Sequence, residues 1–420
     1  MRLTRVFACM ALAGLTGSAL ATNGYFSHGY GMKAKGMAGA STANHDDAFF
    51  GANNPAAAAF AGNRLDLGMD LFSPIREASN AGDFGGPVSS ESDSNYFPIP
   101  EFGYNRMMGN QLALGVTVYG NGGMNTDYPA LAGFGGVNLL GGTGSLGVDL
   151  MQLIVAPTVA YKLAPEHSIG ISPLIGYQRF AASGIQPFTG FSASPGNVTE
   201  NGYDDAFGYG VRLGYMGKIS PTVTIGLAYA SKIDFEEFSE YSGLFAEQGD
   251  FDIPENYNIG LAWQATPAVK LALDYQRINY SDVAAVGNPV TNLLVLGQPL
   301  GSANGPGFGW DDISIWKLGV EFKYSPKLTL RAGYSHNDNP ISGSDLGEVL
   351  FNILAPAVIE DHVTLGFTYT LASGDEVTMS YMHAFENDVS AARPGPPFGT
   401  NVDTIQMYQN SLGIQYSWKM

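Results

Sequence analysis

The chain is poor in cysteine, in charge, in basic residues and in long apolar runs, and each scarcity removes a class of protein. Its single cysteine, Cys9, stands inside an N-terminal leader, so the mature chain is left without disulfides or thiol chemistry. Cys9 also lies near the start of the leader's apolar run rather than after it, the wrong order for a lipid anchor. Charged residues make up 14% of the sequence, where soluble domains carry about 25%. The 20 basic residues are outnumbered by 38 acidic ones, and removing the two positive charges of Arg2 and Arg5 takes the net charge from -18 to -20. Such a charge offers no long-range attraction to nucleic acid or to anionic surfaces, and no nucleic-acid partner is expected. No segment reaches the roughly 18 consecutive apolar residues of a membrane-spanning helix.

What is present points elsewhere. Arg2 and Arg5 precede an apolar run from Val6 to Leu20 that ends in Ala19-Leu20-Ala21, the pattern of a secretory signal peptide over residues 1–21. The whole chain holds 55 glycines and 12% aromatic residues at a mean hydropathy near zero. Its strands alternate. In "VTLGFTYTL", Val363, Leu365, Phe367, Tyr369 and Leu371 share one face and Thr364, Gly366, Thr368 and Thr370 the other. "TVTIGLAYA", "LALGVTVYG" and "WKLGVEFKY" repeat the pattern, the last with Lys317, Gly319, Glu321 and Lys323 opposite Trp316, Leu318, Val320 and Phe322. A soluble sandwich alternates in the same way. Runs of about ten residues with Tyr or Trp near their ends favour tilted transmembrane strands instead.

Short turns such as "LAPEHS", "ISPTV", "SPKL" and "ASGDE" alternate with much longer stretches at 79–94, 121–149, 181–203, 234–252, 281–309, 338–358 and 389–405. These read as periplasmic turns and extracellular loops. The fold class expected is all-β: a transmembrane antiparallel barrel of about 14 strands over residues 63–420, in the outer membrane of a Gram-negative cell, acting as a monomer with membrane lipids and detergent around it. The segment 22–62 is too short and glycine-rich for its own core. Within it, "GANNPAAAAF" reads as a brief capped helix, with Asn54 as cap and Pro55 at the first helical position. A barrel of this size leaves an open lumen unless something fills it, so the segment is expected to fold back inside as a hatch.

"TNGYFSHGYGMKAKGMAGAS", the acidic "NHDDAFFGANNPAAAAF" and the strand pattern after them resemble the FadL-type family of outer-membrane transporters for long-chain fatty acids and other hydrophobic compounds. Asn54, Pro55 and Ala56 match the family's hatch motif, and "FDIPENYNIGLAW" and "NILAPAVIEDHVTLGFTY" look like its mid-barrel and late strands. The resemblance implies passive transport: capture of a long-chain fatty acid or other hydrophobic small molecule at the extracellular loops, passage to a pocket above the hatch, and lateral exit through the wall. It aligns Gly120, Asn121, Gly122 and Gly123 with the family's strand kink, a lateral gate. Such a route spares a hydrocarbon the loss of about 0.8 kcal/mol per CH₂ on re-entering water.

The loops "PALAGFGGVNLLGGTGSLGV", "VAAVGNPVTNLLVLGQPLG" and "LGEVLFNILAPAVI" are more apolar than solvated loops need to be, as binding surfaces are. Phe188, Phe191, Phe238 and Phe245 are candidate groove-lining side chains. For a carboxylate head group the candidates are Arg179, Arg212 and Lys317, with Lys323 and Arg331 behind them. Ion pairs with Asp66, Asp70, Asp274 or Glu321 would explain lumen cations equally. His45, Asp46 and Asp47 are read as plug-to-wall hydrogen-bonding groups. The six histidines show no zinc spacing and no nucleophile elbow accompanies them, so no enzyme, metal or cofactor is expected. Alkanes or aromatic hydrocarbons remain alternative cargo, and a structural or adhesive barrel is the competing class.

Overall fold

The computed structural model describes residues 23–420; the expected signal peptide lies outside the described residues. The wall begins with β1 (Arg64–Asn80), β2 (Phe97–Met108), β3 (Leu112–Asn125), β4 (Gly147–Ala164), β5 (His167–Ser183), β6 (Asp204–Ser220) and β7 (Val223–Ala230). It continues with β8 (Asn256–Gln264), β9 (Val269–Ile278), β10 (Ile313–Lys323), β11 (Leu328–Asn337), β12 (Asp361–Thr370), β13 (Glu376–Ala392) and β14 (Val402–Lys419). Two short strands, Val88–Glu91 and Asp234–Phe235, pair at the rim and bring the sheet to its 16 strands. Each wall strand lies antiparallel to its sequence neighbour, and β1 pairs with β14 from Arg64↔Lys419 to Asn80↔Asp403. That last ladder closes the sheet into a 14-stranded barrel, which removes the open edges a flat sheet would expose.

The alternation of the sequence becomes inside and outside. Leu365 is 63% exposed, Ile259 54% and Leu412 51%, all on the face where hydrocarbon replaces water. Thr364 beside Leu365, and Asp66, Gln178 and Gln415 in the opposite phase of their own strands, are buried toward the lumen. Among the described residues no helix is long and apolar enough to cross a membrane; the strands do the crossing.

Two expectations change. The runs are longer than about ten residues, reaching 18 in β4 and β14, because the ladders continue beyond the roughly 9–11 residues that a bilayer demands. The stretch 121–149 does not begin as a loop: β3 runs on to Asn125, carried through its glycines by a register shift between Gly120 and Gly122 against β4.

Candidate functional site

The lower lumen is filled by residues 23–62. Met32 N donates to Gln415 Oε1 on β14, Ala38 N to Thr364 Oγ1 on β12, Ser41 N and Thr42 N to Asp274 Oδ2 on β9. Ala48 N donates to Asp66 Oδ2 on β1, Gly51 N to Thr117 Oγ1 on β3, and Ser168 Oγ on β5 to Ala56 O. A segment that bonds to strands all round a closed ring lies inside it. "NNPAAAA" forms its turn as the chemistry dictates: Pro55–Ala59 is a 3₁₀ helix whose Ala56 N donates to Asn54 Oδ1 at 3.1 Å. Asn54 Nδ2 in turn donates to the Thr42 and Tyr215 carbonyls, tying turn to wall.

Ion pairs pin this segment. Lys35 Nζ lies 2.5 Å from Asp70 and 3.2 Å from Glu101, all three buried. Lys33 pairs with Glu376 at 2.7 Å and Lys270 with Asp46 at 2.6 Å. Within the wall itself, Arg64 pairs with Asp66 and Arg331 with Glu321. Asp46 thus bonds plug to wall, while Asp47 Oδ1 accepts Phe49 N within the plug. His45 packs its ring 5.7 Å from Phe60.

Above this floor the wall has a break. β2 pairs with β3 only from Met108↔Leu112 up to Phe102↔Val118. Beyond that point residues 97–101 keep only β1, and 119–125 only β4, as a wall partner, with Phe26 of the plug bridging Gly122. Pro98 and Pro100 lie on the unpaired stretch of β2, where a missing N–H is tolerated. Asp93 N donates to Asp127 O at 2.9 Å above the break, so the gap is a closed window in the barrel side. The freed groups of β3 turn to the plug: Ser27 N and Tyr30 Oη donate to Asn121 O, and Gly123 N to Tyr25 O. A Cβ on Gly122 would stand 1.5 Å from that same Tyr25 oxygen, so the contact demands glycine. A bulge of this kind bends a strand and re-aims its edge.

The extracellular loops fold over the barrel into a cap. Trp310 Nε1 donates to Asn352 Oδ1 at 2.6 Å, Thr126 Oγ1 to Leu354 O, and Arg393 Nη2 to Leu139 O. Under the cap lies an apolar pocket of about 530 Å³ lined by Leu140, Phe180, Phe188, Phe245, Phe308, Phe351 and Leu354 among others. A second, of about 310 Å³, reaches the window and is lined by Phe72, Arg76, Gly123, Met124, Trp310, Pro356 and Met407 among others. Tyr25, Tyr280 and Trp310 form a cluster of edge-on and tilted rings at the floor of this region. In the cap, burial next to Asp252 raises the Asp250 carboxyl to about 7.

A model of the family described as outer membrane protein transport protein (OMPP1/FadL/TodX) matches residues 12–413. The chain belongs to this family. It is therefore an outer-membrane transport protein and not an enzyme. The toluene transporter TodX of Pseudomonas putida superposes with a TM-score of 0.68 at 19% identity, over 94% of this chain and 99% of that one. A FadL homologue of Pseudomonas aeruginosa gives 0.71 at 14% identity over 94% and 99%. The toluene transporter TbuX of Ralstonia pickettii gives 0.63 at 18% identity over 94% and 99%. No curated protein sequence matches the chain.

Within this family member the candidate residues separate. Phe188 and Phe245 line the loop pocket; Phe238 is buried behind it against Phe180 and Phe245, and Phe191 packs on Phe398. Gly120, Asn121, Gly122 and Gly123 stand at the window. Arg179 differs from the expectation. It points to the outer face of β5 and stacks at 3.5 Å over Tyr203, because it is one residue out of phase with the inward Gln178 and Phe180. Arg212 and Lys317 line a polar pocket of about 360 Å³ with Ser41, Asn53, Asn256 and Gln276. Lys317 donates to His28 O, and neither cation forms an ion pair among the described residues. Lys323 is exposed at the periplasmic end of β10. His336, Glu360 and Asp361 bring donor atoms within 4.8 Å of one another, but His336 and Asp361 already bond each other at the exposed rim.

The residue that sequence reading passed over is Arg76. Its signal was available: it shares the lumen phase of Asp66 and Asp70 on β1, six residues above the acid that Lys35 takes.

Proposed function

We propose that the protein carries hydrophobic compounds, chiefly long-chain fatty acids, from the loop pocket to the pocket beneath Trp310 and out through the window between β2 and β3 into the membrane. The observation that carries this reading is the position of the window: it opens beside an apolar pocket and above a floor held by ion pairs. A hydrocarbon chain meets apolar side chains on that path, whereas the downward route would drive it past buried charges and cost it burial. Arg212 and Lys317 lie in the polar pocket that Phe26 and Tyr30 help to line, apart from the two apolar pockets. The β1–β14 ladder closes the ring within one chain, which supports a single chain as the working unit, with lipid and detergent around it.

Uptake by cells carrying this barrel as their sole channel of the class tests it, with a radiolabelled long-chain fatty acid, an n-alkane and a monoaromatic hydrocarbon offered together. Preferential entry of the fatty acid is expected. Equal or faster entry of hydrocarbon would reassign the cargo, and no entry above background would leave an adhesive or structural barrel.

A further inference from the structure

Arg76 stands on the lumen face of β1, buried, at the upper corner of the window. Its Nη1 donates to the Asn125 carbonyl at the β3 edge, and its Nη2 to the Ser94 carbonyl and, at 3.3 Å, to Asn95 Oδ1 on the β2 side. The guanidinium therefore spans the gap from within. Its Nε is buried and has no acceptor. Among the described residues no carboxylate forms an ion pair with it; Asp127 acts on it only from beyond that range. The contrast with the hatch is direct, since its Lys33 and Lys35 both hold carboxylates. A desolvated cation with an unmet donor is costly unless an anion completes it. The same side chain lines the pocket formed by Phe72, Met124, Trp310 and Met407, so the unmatched charge borders an apolar space that ends at the window.

We propose that Arg76 is a head-group station, holding the carboxylate of an amphiphile at the window while its hydrocarbon tail lies in this pocket and enters the gap. The inference rests on the transport reading above. A carboxylate arriving on the Nε edge meets Nε–H and an Nη2–H, the paired donors whose spacing matches two carboxylate oxygens. In taking Nη2 it competes with the Ser94 carbonyl, so occupancy loosens one of the ties across the window. An uncharged hydrocarbon uses the same window and gains nothing from Arg76. The station thus discriminates by head group, and the apolar pockets do not.

Binding of oleate and of methyl oleate to the purified full-length barrel, with uptake of both by cells, tests this in the wild type, Arg76→Gln and Arg76→Lys. Heat-modifiable gel migration checks that each variant is folded. Arg76→Gln is expected to weaken oleate binding about tenfold, the loss of a charge-assisted hydrogen bond, with methyl oleate unchanged; Arg76→Lys, which keeps charge but not the fork, falls between. Oleate binding unchanged in Arg76→Gln, or equal losses for acid and ester, overturns the station while leaving the transport reading in place. Failure of wild-type cells to take up either compound overturns both.

Discussion

The two halves of the lumen hold the same barrel wall against opposite chemistries. On the periplasmic side, hatch and wall meet through buried ion pairs and side-chain acceptors for hatch amides: Lys35 with Asp70 and Glu101, Lys33 with Glu376, and Asp274 receiving Ser41 N and Thr42 N. On the extracellular side, Tyr25, Tyr280, Trp310, Phe308, Phe180 and Phe245 pack ring on ring. Charge pairs fix a geometry because breaking one strands a buried charge. The hydrophobic drive behind aromatic and aliphatic packing is non-directional, so such a region can accept another apolar surface. The lower half is therefore built to stay shut and the upper half to receive. The window lies in the upper half, where the β2–β3 ladder stops.

The strongest way to break this comparison is to remove the floor. Deletion of residues 22–62 should leave a barrel that still assembles, because all fourteen wall strands lie outside the segment, but it should open the lumen to water. Conductance to small polar solutes in planar bilayers is expected to rise on the order of tenfold or more, with selective uptake lost. A deletion that stays closed would mean the loops rather than the hatch seal the barrel.

A smaller effect follows from one pair. Lys35→Met leaves Asp70 and Glu101 buried without their cation, a loss of about 3–5 kcal/mol confined to the hatch. Limited proteolysis should then cut the hatch while the wall stays resistant. Adding Asp70→Asn and Glu101→Gln should restore most of the protection, and failure of that rescue would argue that packing, not pairing, holds the hatch.

The least effect belongs to the cap. Because Asp250 is raised in the fold to about 7 from its usual 3.8, the folded state binds the proton more tightly than the unfolded one. Its contribution is full below about pH 4 and is lost as pH rises through about 7. Loop protection measured by hydrogen exchange around Phe251 should therefore weaken between pH 5 and 8, and Asp250→Asn should flatten the trend. A trend that persists in Asp250→Asn would place its origin elsewhere.

Much of this architecture is legible in the chain itself. Period-two alternation in segments such as "VTLGFTYTL" sets which side chains meet lipid, because a pleated strand has only two faces. Asn54 before Pro55 sets a capped turn, because the amide donors of a helix start need an acceptor and proline lacks one donor. Those are local consequences of residue chemistry. The glycines at 120–123 announced irregular backbone, yet the sequence does not state that the partner missing there is β2 or that Tyr25 O, Ser27 N and Tyr30 Oη of the hatch replace it. Arg179 and Arg76 make the same point about charge. Both are basic residues near the top of a strand, but one lies over Tyr203 on the outer face and the other faces an apolar pocket at the window. Sequence alone determined the strands, their phase and the hatch turn, since each depends on neighbours a few residues away. Only the tertiary structure decided where the wall opens and which cation stands unpaired beside it, because both depend on which distant strands and loops are brought to the same place.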